Sequence, residues 1–107
     1  MPTRKYGRFE ILLPTCYNDG TPIEEDKFEL TRQELDEQFG ASSVDLVPVS
    51  GHWKYQGALY IDVLRRLWVD APDTRASRQF FKRFKSILKE RFRQEDIWIT
   101  VHQIEIL

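Results

Sequence analysis

Between residues 74 and 94 the apolar positions fall at Phe80, Phe81, Phe84, Ile87, Leu88 and Phe92. This is the i, i+1, i+4, i+7, i+8 spacing of a helix with one buried stripe. Two residues later the period changes: Ile97, Ile99 and Val101 alternate with Trp98, Thr100 and His102. A switch from period 3.6 to period 2 across so short a link predicts a helix that lies on a sheet and returns a strand to it.

The same reading extends along the chain. Residues 5–14 alternate as a strand, with Phe9, Ile11 and Leu13 on one side and Arg8, Glu10 and Leu12 on the other; Pro14 ends it. Asp19-Gly20 supplies a tight turn. Thr21, Pro22 and Glu24 have the spacing of a capping box with proline at the first helical position, so a helix is expected from there to Phe39, stopped by Gly40. Phe28, Leu35 and Phe39 form its buried side, and a second box at Thr31-Glu34 allows a break near Leu30. Residues 43–49 form a short strand that Pro48 assigns to a sheet edge. Residues 51–57 are a connection or twisted hairpin. Residues 58–69 form the longest strand, with Leu59, Ile61, Val63, Leu67 and Val69 on one face and Tyr60, Asp62, Leu64, Arg66 and Trp68 on the other. Arg65 interrupts the apolar set and suggests a bulge. Asp73 or Thr74 caps the second helix.

The resulting order is β-α-β-β-α-β. With right-handed crossovers, this gives an α+β fold, a ferredoxin-like sandwich: a four-stranded antiparallel sheet in the order 4-1-3-2 with both helices on one face. At 107 residues the chain is expected to be one domain, 1–107.

Charge and cysteine usage narrow the setting. Sixteen basic residues stand against 17 acidic ones, so no global field draws the chain to nucleic acid or an anionic membrane. Cys16 is the single cysteine, which rules out an internal disulfide and points to the reducing cytoplasm. No apolar run is long enough for a signal segment or a membrane span. Residues 24–37 hold seven acids against two bases, and residues 75–93 hold eight bases against one acid. Side by side, the two helices would neutralise each other.

The strand running into Asn18-Asp19-Gly20, the Gly51-His52-Trp53 step, Phe84 with Leu88-Lys89-Glu90-Arg91-Phe92, and the final Ile/Trp-rich strand resemble a family of small uncharacterised bacterial proteins with a ferredoxin-like domain. The resemblance spans nearly the whole chain and implies the same fold. It brings no activity with it.

Three surfaces are candidates for function. The first is the sheet face away from the helices, where Glu10, Leu12, Tyr60, Trp68, Trp98, Thr100 and His102 gather. So apolar a face is expected to be covered by a second copy, giving a homodimer that works as a binding or interaction module. A small-molecule ligand could occupy a cavity enclosed there. Glu10, Arg66 and His102 are of the types that move a proton or orient a carboxylate, the basis of an alternative reading as a small dimeric α/β-barrel-type enzyme. An interfacial ion pair and a satisfied histidine explain the same residues without catalysis.

His52 and Trp53 add a second candidate at the sheet rim, against the plainer reading of a tryptophan lid. The third is the basic ridge. Arg75, Arg78, Lys82, Lys85, Lys89 and Arg93 recur at steps of three and four, and Arg78, Lys82, Lys85 and Lys89 are the residues that would track phosphates. A solvated helix face partly neutralised by the acidic helix is the simpler account; the sheet face, as an alternative RNA-stacking surface, lacks the aromatic-glycine-aromatic run in residues 58–69. Cys16, His52 and His102 lack zinc-site spacing, and Asp19 and Asp70 sit where turns and strand ends ordinarily take aspartate. No metal or cofactor is called for, and no catalytic motif is present.

Overall fold

The computed structural model describes residues 5–107. Its elements run β1 (Tyr6–Pro14), α1 (Glu25–Phe39), β2 (Ser43–Val44), β3 (Val49–Tyr55), β4 (Ala58–Pro72), α2 (Arg75–Arg91) and β5 (Trp98–Ile104). The fold is α+β, with two helices and one antiparallel sheet of five strands. The sheet runs β2-β4-β1-β5, and β3 also pairs with β4. Expectation is corrected here in both strand count and order. The segment expected as one edge strand is divided: Ser43 and Val44 pair with Trp68 and Leu67, whereas pairing resumes only at Val49 opposite Leu64. Pro48, which has no N–H to donate, sits at the break.

One face of the sheet carries the core. Phe9, Ile11 and Leu13 of β1 lie beside Leu67, Val69 and Ala71 of β4, with Ile99 and Val101 of β5 packed at the margin. Both helices cover this face. Phe81 of α2 stacks on Phe9 with ring centroids 4.4 Å apart, and Phe28 of α1 meets Phe92 edge-on at 5.2 Å. Phe84, Leu88 and Phe92 are buried as the stripe predicts, but Ile87 is exposed, at the stripe's flank.

The helix ends differ from expectation at one point. Thr74 caps α2 by accepting the Ser77 N–H at 3.1 Å, and Gly40, at φ +83°, stops α1. The Thr21-Glu24 box does not form. Thr21 instead donates its hydroxyl to Asp19 at 2.6 Å, Pro22 bridges to Cys16, and Glu24 accepts the Tyr17 hydroxyl, so α1 starts at Glu25. It then continues without a break, since the Thr31 hydroxyl is turned back onto the Lys27 carbonyl at 2.8 Å.

The helices touch through few charges. Arg91 of α2 reaches Glu34 at 2.5 Å and Thr31 at 2.9 Å. The basic ridge itself does not neutralise α1: Arg78 pairs with Asp73 and Lys85 with Asp96, both acids flanking their own helix. Mutual neutralisation along the helices is therefore replaced by one interhelical arginine.

No bulge occurs at Arg65. Pairing of β1 with β4 proceeds one for one from Tyr6 opposite Pro72 to Pro14 opposite Leu64. Arg65 keeps its place on the helix side, where its guanidinium lies 4.0 Å from the Phe28 ring centre and forks onto Glu25 with two contacts of 2.8 Å.

Candidate functional site

Because β1 is nine residues long and β4 fifteen, β4 outruns its partner. Beyond Val63, whose carbonyl still accepts the Thr15 N–H at 3.0 Å, it is paired only with β3, and the two form a hairpin arm that leaves the helix-covered body and stretches the molecule to 51 Å against 30 and 25 Å. The arm closes through Gln56 and Gly57 at φ +49° and +81°, the left-handed pair that a two-residue hairpin turn requires. Leu59, Ile61 and Val63, expected in the core, stand instead 59, 60 and 49% exposed. They lie on the correct side of the strand, but no helix extends over them. On the other side Trp53 stacks on Tyr60 at 4.6 Å and donates its indole N–H to Asp62 at 2.7 Å. Trp53 is thus part of an aromatic ladder on the arm and not a lid on the core.

Where β4 rejoins the body, its even-numbered residues continue onto the helix-free sheet face. The register sets Arg8 between Asp70 and His102, Glu10 between Trp68 and Thr100, and Leu12 between Arg66 and Trp98. Arg66 pairs with Glu10 and with Asp45 at 2.8 Å, and those two carboxylates, Glu10 foremost, hold its guanidinium above its ordinary pKa. It also lies 4.5 Å over the Trp68 ring. Arg8 reaches the same ring at 5.7 Å while forking onto Asp70 at 2.8 and 3.0 Å. His102 Nε2 stands 3.6 Å from the second Glu10 oxygen and 3.2 Å from the Thr100 hydroxyl.

Glu10, Arg66 and His102 are therefore together, with Glu10 as the bridge. They form a half-exposed ion-pair network and line neither of two cavities beside the helices. Those lie at the α1–β2 side and at the α2–β5 side. Trp98 is 63% exposed at the edge of this face, whereas Trp68 is shielded by the two guanidiniums. His52 is separate from this network, on the arm, 2.9 Å from the Ser50 hydroxyl. Cys16 is exposed with Thr15 as its neighbour. Arg78, Lys82, Lys85 and Lys89 line up along α2 as the periodicity predicts.

Asp45 and the Arg8–Asp70 pair escaped the sequence reading. Arg8 and Glu10 are legible as face-mates from their spacing, but Asp45 comes from the loop after β2, which no periodicity places. Among the described residues no group of three or more His, Cys, Asp or Glu side chains is arranged to hold a metal ion. Asp70 is paired with Arg8, and Asp19 accepts from Thr21, as strand-end and turn aspartates commonly do.

Neither a protein-family model nor a curated protein sequence matches the chain. Solved structures do resemble it in fold. CutA from Synechococcus elongatus superposes with a TM-score of 0.62 at 10% identity, over 97% of this chain and 80% of that one. The divalent cation tolerance protein Cut A1 from Thermus thermophilus gives 0.64 at 14% identity, over 94% and 85%. At such identities the likeness establishes a fold of the CutA kind, ferredoxin-like in plan. No helix among the described residues is long and apolar enough to cross a membrane.

Proposed function

We propose that this chain is a self-associating binding module whose copies join through the hairpin arm and the adjoining helix-free sheet face. The observation that carries the reading is the bare apolar edge Leu59-Ile61-Val63 on a two-stranded arm. An isolated hairpin is marginal in water, and a long apolar strand with an unpaired edge invites another chain. A second copy offers both the apolar surface and the open edge needed to satisfy it, and a homodimer is the simplest closed form. In that assembly Arg66, Glu10 and His102 act as interfacial polar contacts flanking Trp98.

The enzyme reading has less support, because Glu10 is engaged by Arg66 and is not a free base. The likeness to a divalent cation tolerance protein favours a binding module, but metal chemistry does not transfer with it: Glu10, Asp45 and Asp70 are already matched to arginines, and no group of three or more His, Cys, Asp or Glu side chains is arranged for a cation among the described residues.

Hydrogen exchange tests the proposal. Amides of Leu59–Val63 are expected to be protected at tens of micromolar protein and to lose protection on dilution. Fast exchange at every concentration would refute it.

A further inference from the structure

The two cavities differ in charge. The one beside α1, about 370 Å³, is edged by Glu25, Glu29 and Asp45 as well as by Arg32 and Arg65. Each of those charges has a partner within 4 Å. The other, about 230 Å³, runs between α2 and the free edge of β5, and no acid lines it. Its floor is apolar: Phe9, Phe81, Ile99 and Val101, with Phe9 and Phe81 stacked at an interplanar angle of 6°. Its rim is cationic. Arg78, Lys82 and Lys85 stand there at helical steps of four and three, one above another along the cleft.

Two of these cations are balanced from the ends of α2, Arg78 by Asp73 at 2.7 Å and Lys85 by Asp96 at 2.9 Å. Lys82, between them, has no ion-pair partner among the described residues. An apolar floor under an uncompensated ammonium is selective in a simple way. It favours an apolar body that carries one negative charge, because the body covers the half-buried Ile99 and Val101 while the charge meets Lys82. A neutral body lacks the second gain and a small inorganic anion lacks the first.

We propose that the α2–β5 cleft binds a small anionic amphiphile, a carboxylate on an apolar body, of about ten non-hydrogen atoms in all. A molecule of that size is in keeping with a cleft of about 230 Å³. Lys82 receives the carboxylate, Arg78 and Lys85 add their field, and Ile99 and Val101, backed by the buried Phe9–Phe81 stack, receive the body. The proposal makes use of the basic ridge without invoking nucleic acid and is independent of self-association.

Octanoate is the probe, with 1-octanol as its neutral counterpart. In an NMR titration of the intact isotope-labelled chain, octanoate is expected to shift the amides of Phe81–Lys85 and Ile99–Val101 saturably. Octanol should bind about tenfold more weakly, the scale of one charge-assisted contact. Lys82→Glu should weaken octanoate by at least about that factor and leave octanol unchanged. Lys82→Gln, which adds no charge to the exposed helix face, should fall between them, and Gln38→Glu on the exposed side of α1 should have no effect. Equal binding of octanoate and octanol, shifts confined to the arm, or no saturable shift below about 10 mM, a limit weaker than ordinary specific sites, would each overturn the proposal.

Discussion

The guanidinium of Arg65 lies 4.0 Å from the centre of the Phe28 ring, beside the first turn of helix α1. One residue of β4 further on, at Leu64, pairing with β1 ends and the arm begins. Arg65 therefore seals the core at its open end: its planar face covers an otherwise buried aromatic while its donors turn outward to Glu25. A lysine could supply the charge but not the plane. Arg65→Ala is expected to lower unfolding stability by about 1 kcal/mol, the scale of a partly desolvated cation–π contact, and Arg65→Lys to recover less than half. Urea denaturation measures both.

On the opposite face Arg66 is the hub. It serves Glu10, Asp45 and the Trp68 ring together, each at a different part of the guanidinium. Arg66→Lys is expected to cost nearly as much as Arg66→Ala, about 1–2 kcal/mol, because a point charge cannot fork between two carboxylates while stacking on an indole. Trp68 emission should shift to longer wavelength in both variants as its shield is lost. A lysine variant as stable as the parent would contradict the assignment.

The acid limb of the stability curve has an identifiable source. Hydrogen bonding and charge from Arg78 hold the Asp73 carboxyl below the ordinary aspartate range, and Lys85 does the same for Asp96. A carboxyl with a lowered folded-state pKa binds its proton less readily when folded. The stability it gives is present above the unfolded pKa, near 3.9, and is lost as pH falls through the folded value. The urea midpoint is expected to be flat between about pH 7 and 5 and to fall below about pH 4. Arg78→Gln should make that fall shallower. The same decline in variant and parent would show that the pair is not linked to folding.

Helix α2 ends in a motif that ordinarily takes glycine. The N–H of Arg93 reaches the Glu90 carbonyl at 3.3 Å and that of Gln94 the Lys89 carbonyl at 2.9 Å, with Arg93 at φ +52°. A left-handed arginine costs about 1–2 kcal/mol, more than the surface cation–π contact it makes with Tyr17, which is worth about 0.5–1 kcal/mol. Arg93→Gly is expected to raise the melting temperature by a few degrees. A decrease would mean that the Tyr17 contact outweighs the backbone strain.

These features were unequally legible in the sequence. Helix α2, β1 and β5 follow from their periodicities because the same side chains set both the pattern and the burial. The arm does not. Leu59, Ile61 and Val63 alternate as any core strand does, and alternation reports which way a side chain points, not whether anything lies over it. The one signal was the mismatch between a strand stopped by Pro14 and a partner that continues past it in pairing distance. At the site, Glu10, Arg66 and His102 were placed on one face by parity alone, while Asp45, on a loop without a period, was not. The Thr21-Glu24 spacing misled because local partners, Asp19 and Tyr17, captured both side chains first.

The molar mass of the intact chain in solution tests the central claim most directly. Sedimentation equilibrium between about 1 and 100 μM, spanning the affinities of ordinary interfaces, is expected to give a multiple of the 12.8 kDa chain mass. Ile61→Glu, which places a charge on the bare face of the arm and touches nothing in the core, should reduce it to the monomer with the fold intact. A parent chain at 12.8 kDa throughout, or an Ile61→Glu variant of undiminished mass, would contradict the account.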